Sequence, residues 1–88
     1  MIVTLAEAKS YLRIDFDTDD SLLSTLLTAA EDRCRGIARN KNFDSDPNAK
    51  IAILFATAYT YEHREDGDEN ELNLKIRAIL YKNREAVF

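Results

Sequence analysis

The sequence predicts an all-α protein, a compact bundle of about four helices. Three observations carry this. Helix-forming residues dominate, and only two glycines and one proline occur in 88 residues, the two types that most disfavour a helix interior. Apolar residues recur at spacings of three and four, the period of a helix face. Capping residues stand before the periodic stretches, where a helix would begin.

The elements follow in chain order. Thr4-Leu5-Ala6-Glu7 fits a capping box, in which Thr4 caps the helix and Glu7 reaches back to the Thr4 backbone. The first helix is expected over about 4–12, with Leu5, Ala8 and Leu12 on one face. A connector follows, with Ile14 and Phe16 expected to anchor it on the core. Asp17 or Thr18 can cap the second helix, and Asp19 and Asp20 suit the positive end of its dipole. That helix is expected over about 19–39. Leu22, Leu23, Leu26, Leu27, Ala29, Ala30, Cys34, Ile37 and Ala38 share its apolar half, and Ser24, Thr25, Thr28, Glu31, Asp32, Arg35 and Arg39 its polar half. Arg33 lies inside the apolar arc and is expected to snorkel outwards. Residues 40–46 read as a loop from which Phe43 folds back. Asp46-Pro47 is a helix start, with Asp as cap and Pro at the first helical position. The third helix is expected over about 47–65. An acidic loop with Gly67 as its turn residue follows. Asn70 is the expected cap of a fourth helix over about 71–84.

The third helix carries the most apolar stretch, Ile51 to Arg64. It falls short of the roughly 20 apolar residues that a membrane span needs. It is apolar nearly all round, as helices buried on both sides are. Ile51, Ala52, Leu54, Phe55, Ala58 and Tyr59 form its broad apolar face, the bulkier of the two, and Leu54, Phe55, Ala58 and Tyr59 are expected in the core. Ile53, Ala56, Thr57 and Thr60 form the opposite face, with no evident partner inside a small subunit. The fourth helix likewise has two stripes. Leu72, Ile76, Ile79, Leu80 and Val87 form one, and Leu74, Ala78, Tyr81 and Phe88 form the other. The candidate contacts with another chain are therefore Ile53, Thr57, Thr60, Leu74, Ala78, Tyr81 and Phe88.

Composition bounds the function. The length fits one domain over 1–88. The formal net charge of −4 disfavours general nucleic-acid binding, which calls for a basic face. Charge is uneven: Lys75, Arg77, Lys82 and Arg84 face Glu85 alone at one end, and the rest is acidic. Cys34 is the single cysteine, so no internal disulfide forms and a reducing compartment fits. No secretory leader is read at the N-terminus. Asp15, Asp17 and Asp19 have the opening spacing of a calcium loop, but the sixth and twelfth positions hold Asp20 and Leu26 in place of Gly and Glu. His63 has no second His or Cys near it for a zinc site and no nucleophile to activate. Cys34 sits on an apolar face as a small hydrophobe. Tyr11, Tyr59, Tyr61 and Tyr81 lack a basic groove around them and read as packing residues. No Gly-rich phosphate loop is present. The expectation is a protein without catalytic residues, cofactor or metal.

The stretch TLAEAKSYLRIDFDTDDSLLSTLLTAAEDR resembles the N-terminal signature of the head–tail connector (adaptor) proteins of long-tailed bacteriophages. A short helix ends in a Leu-Arg-Ile-Asp run, and an acidic cap opens a Leu- and Ala-rich helix. The matching positions are Leu5, Lys9, Tyr11, Leu12, Arg13, Ile14, Asp15, Asp17, Asp20, Leu23, Ala29 and Ala30. The alanine-rich run closing in Tyr59, Tyr61, Glu62, His63 and Arg64 is similar as well, as is Ile76 to Arg84. The resemblance implies a structural subunit in a homo-oligomeric ring of about twelve copies beneath the portal protein. Such a ring extends the DNA channel without sequence-specific binding, receives stopper or tail-completion proteins, and implies no cofactor. Two other readings of the residues are a small helical DNA-binding regulator, using the basic end of the fourth helix, and a general helical interaction module.

Overall fold

The computed structural model describes residues 2–38, 43–63 and 65–81. Among these, four α-helices follow in order: α1, Leu5–Leu12; α2, Asp20–Ala38; α3, Pro47–Glu62; and α4, Glu69–Leu80. A single 3-10 turn, Phe43–Ser45, precedes α3. The chain forms the all-α bundle that the sequence predicts. The long helices α2 and α3 make its central pair, α4 packs mainly on α3, and α1 lies across both α2 and α3.

Local signals set most helix ends. Thr4 Oγ1 accepts the Glu7 N–H at 3.1 Å and Glu7 Oε1 accepts the Thr4 N–H at 3.0 Å, so the capping box is complete. α1 closes on Arg13, which adopts the left-handed conformation at φ 61°. Beyond it the Ile14 N–H returns to the Lys9 carbonyl at 2.9 Å, the bond that closes a Schellman turn. A non-glycine residue there costs about 1–2 kcal/mol, offset by satisfying carbonyls that α1 would otherwise leave open. Asp46 caps α3 through the Asn48 N–H at 2.9 Å, with Pro47 at the first helical position.

Several ends differ from expectation. α2 begins at Asp20, so neither Asp17 nor Thr18 stands at its cap position. α4 is capped by Asp68 rather than Asn70: Asp68 Oδ1 accepts the N–H groups of Asn70 (2.9 Å) and Glu71 (3.2 Å). The full charge of Asp68 suits a helix N-terminus better than the neutral amide of Asn70 does, and α4 starts earlier. α3 stops at Glu62, with His63 as its closing residue. α4 closes at Leu80, with Tyr81 as its closing residue, short of the expected 84; residues 82–84 and the stripe residues Val87 and Phe88 lie outside the described residues.

The core is built from Val3, Ala8, Leu23, Leu27, Cys34, Phe43, Leu72, Ile76 and the inner face of α3. Phe43 folds back as expected. Phe16 does not anchor the connector: it is 48% exposed, whereas Ile14 is half-buried. Gly36 stands on the exposed side of α2, and a Cβ there would meet nothing within 4 Å. Gly36→Ala is therefore expected to stabilise the protein by about 0.5–1 kcal/mol, through helix propensity alone. Urea denaturation reads this as a higher midpoint at unchanged slope.

The inner face of α3 is the main correction. Ala49, Ala52, Ile53, Ala56 and Thr57 are buried, and Ile53 is wholly inaccessible. Leu54, Phe55 and Tyr59 pack only at the margin of the core, and Ile51 is 52% exposed. The two faces are thus the reverse of the expected assignment. Helix axes lie about 8–10 Å apart according to the side chains between them. The alanines let α3 approach α2 closely, whereas Phe55 and Tyr59 would hold it off. Thr57 is no obstacle in the core, because its hydroxyl donates to the Ile53 carbonyl at 2.8 Å and presents its methyl to its neighbours.

Candidate assembly surfaces

The acidic connector between α1 and α2 is closed by pairing within the chain. Lys9 reaches from α1 to Asp17 at 2.7 Å and Asp20 at 2.8 Å. Tyr61, near the end of α3, donates its hydroxyl to Asp19 Oδ2 at 2.5 Å. Three helices therefore meet at one loop. Asp17, Asp19 and Asp20 are thus engaged within the chain, and no group of three His, Cys, Asp or Glu placed to hold a metal occurs among the described residues. Hydrogen bonds to Asp17 and then Asp20 raise the pKa of Lys9, and the Lys9 bond lowers that of Asp17. Glu7 is lowered chiefly by its bond to Lys50, with the Thr4 backbone second.

The pH dependence follows from these signs. A lowered carboxyl contributes stability that is present above the ordinary carboxylate range and is lost as pH falls through it. The raised Lys9 contributes below its ordinary pKa and loses that share only as pH rises through the still higher folded value. Lys9→Met is therefore expected to destabilise most at neutral pH and progressively less as pH falls through the carboxylate range. Melting curves followed by circular dichroism would show the two proteins converging in acid. A gap that stays constant with pH would remove the ion pairs as the cause.

Two surfaces outside the core present apolar or aromatic residues. The first is a groove of about 490 Å³ over the outward side of α3. Phe55, Ala58 and Tyr59 make its floor. The end of α1, with Tyr11 at 51% exposure, forms one wall, and Glu71 and Lys75 of α4 form the other. Phe55, Tyr59 and His63 form a ladder of rings, with centroids 6.2 and 4.6 Å apart. Glu62 stands at the groove end, and next to it lies the acidic loop of Glu65, Asp66, Asp68 and Glu69, all exposed. The second surface is the back of α4, where Leu74 is 64% exposed and Ala78 is exposed one turn further on.

Comparison with known families decides the class. A family model described as "Phage gp6-like head-tail connector protein" matches residues 2–84. The chain belongs to this family of phage connectors. Neither the curated proteins nor the solved structures yield a match. Membership gives the connector a structural role in the phage particle, at the head–tail junction and in contact with other head and tail proteins. No helix among the described residues is long and apolar enough to cross a membrane.

The seven sequence candidates for contacts separate in the connector fold. Ile53 and Thr57 belong to the subunit's own core. Thr60 is half-buried, its hydroxyl donating to the Ala56 and Thr57 carbonyls at 2.9 and 3.1 Å. Leu74 and Ala78 stand exposed on the back of α4, and Tyr81 continues that line. Tyr81 is half-buried, and its hydroxyl donates to the Ile37 carbonyl at 2.8 Å, tying the end of α4 to the end of α2. Phe88 lies outside the described residues.

Sequence reasoning missed the groove because it set Phe55, Ala58 and Tyr59 inside the core. It also missed the Lys9 clasp, which joins residues eight and eleven apart across a loop, where no helical spacing rule applies. Arg33 behaves as expected and more: it donates to Asn73 Oδ1 at 2.8 Å and Glu69 Oε1 at 3.2 Å, joining α2 to α4. Burial pushes the Cys34 thiol up to about 12, so it stays protonated and inert in the folded connector.

Proposed function

We propose that the chain is a one-domain subunit, over residues 1–88, of a head–tail connector ring of about twelve copies. The ring attaches beneath the portal after genome packaging, extends the DNA channel, and receives the stopper or tail-completion protein. It assembles in the bacterial host cytoplasm and ends in the virion. The observation that carries the reading is the family match together with two separate surfaces that present aromatic or apolar residues on one small subunit. A ring needs a different patch on each side of every copy, because its contacts are heterologous. The groove over α3 and the back of α4, with Leu74, Ala78 and Tyr81, are such a pair. An acidic subunit also suits a channel wall, since repulsion from phosphate lets DNA pass without gripping.

The test is to add the purified chain to DNA-filled heads that carry portal but no tail. Electron microscopy should show an added ring at the portal vertex, and the portal should co-purify with the chain. A chain that neither binds portal nor adds density at that vertex sinks the reading. Binding to duplex DNA that weakens steeply with salt would favour the regulator instead.

A further inference from the structure

We propose that the groove over α3 receives residues 82–88 of a second copy of this chain. The inference rests on the ring reading above and names the contact that would build the ring. The groove has an aromatic floor, Phe55 and Tyr59, with Tyr11 on its wall. Its charged lining is mixed, Glu62 and Glu71 with Arg13 and Lys75, and the loop that follows Glu62 adds four exposed carboxylates beside it, Glu65, Asp66, Asp68 and Glu69. The segment that follows α4 has the complementary chemistry in sequence, two bases (Lys82 and Arg84) against one acid (Glu85), and then Ala86, Val87 and Phe88. A net-basic segment with an apolar end suits an aromatic groove that opens beside an acidic loop. Aromatic anchors seated in such pockets carry most of the energy of a contact, and the surrounding charges set orientation and partner choice.

The groove of a neighbour suits the segment better than its own. Glu71 and Lys75, near the start of α4, form the groove wall. Tyr81 lies at the far end of α4, fastened to the Ile37 carbonyl, about 15 Å from Glu71 along the helix axis. A segment leaving there would have to double back along its own helix to enter its own groove. Passing to the next copy needs no reversal. It also makes a contact with a different patch on each partner, the kind that propagates around an axis.

Paired variants of the full chain test this. Phe88→Asp spoils the segment and leaves the groove. Ala58→Arg places bulk and like charge in the groove and leaves the segment. Tyr11→Arg serves the same end on an exposed wall residue, should Ala58→Arg fail to fold. Sedimentation should show self-association of the wild type up to millimolar concentration, weakened about thirtyfold or more in either variant, the scale of losing one anchor. An equimolar mixture of the Phe88 and Ala58 variants should form a heterodimer and nothing larger, because one intact segment and one intact groove remain between them. Variants that associate like the wild type, or a mixture that does not pair, overturn the docking and leave the ring reading standing. A wild type that stays monomeric at millimolar concentration also overturns it. Ring formation on portal-bearing heads then decides the parent reading separately.

Discussion

Ile53→Ala is expected to cost about 2–5 kcal/mol of folding stability, as truncations of fully buried isoleucine do. Ile53 is wholly inaccessible within the core cluster, flanked along α3 by Ala49, Ala52 and Ala56. Those alanines have no rotamers with which to fill a void, so the cavity cannot collapse from the α3 side, and the cost falls in the upper part of the range. Against a total stability of about 5–15 kcal/mol for a domain, such a loss is severe. The control is Leu54→Ala on the neighbouring residue. Leu54 packs at the margin of the core, and truncation there should cost less than about 2 kcal/mol, because part of its surface already meets water. Chemical denaturation of the two variants decides between the faces. A larger loss for Leu54→Ala than for Ile53→Ala would mean that the bulky face is the inner one after all.

That comparison bears on how far the fold could be read from sequence. The caps at Thr4 and Asp46 were legible because each is a local event, complete within four residues. The inner face of α2 was legible because its apolar and polar halves differ sharply. On α3 both faces are apolar, and bulk was taken as the sign of the core. Bulk is a poor guide there. Burial favours large side chains, but close helix approach favours small ones, and in a bundle with one central pair the second effect decides. The exposed line of Leu74 and Ala78 was legible as surplus to α4's own core stripe. The clasp of Lys9 on Asp17 and Asp20, and the bond from Tyr61 to Asp19 across 42 residues, depend on the tertiary fold and leave no periodic trace. The groove was hidden for a related reason: it exists only because α3 turns its larger residues outwards, between α1 and α4.

Tyr59→Ala is expected to cost about 2–4 kcal/mol, somewhat below a fully buried aromatic truncation because Tyr59 is half-buried. The residue holds the corner between α3 and α4 in three ways. Its hydroxyl accepts the Asp68 N–H at 2.9 Å, fixing the residue that caps α4. Its ring lies between those of Phe55 and His63. It also borders Gly67, where an added Cβ would lie 3.5 Å from the ring and only 2.9 Å from the His63 carbonyl oxygen; the turn is tight enough to require glycine. Tyr59→Phe separates these contributions. It keeps the rings and the turn and removes only the hydroxyl, so it should cost about 1 kcal/mol. Amide exchange gives a local readout: the Asn70 and Glu71 amides, held by Asp68, should lose protection in Tyr59→Phe before the centre of α3 does. Equal losses for the two variants would place the whole effect in the hydrogen bond and leave the ring ladder without a stabilising share. A larger loss for Tyr59→Ala would mean that the floor of the groove also holds the fold together. Docking could then not evolve independently of stability, because any change to the floor that weakens a partner's anchor also loosens the start of α4.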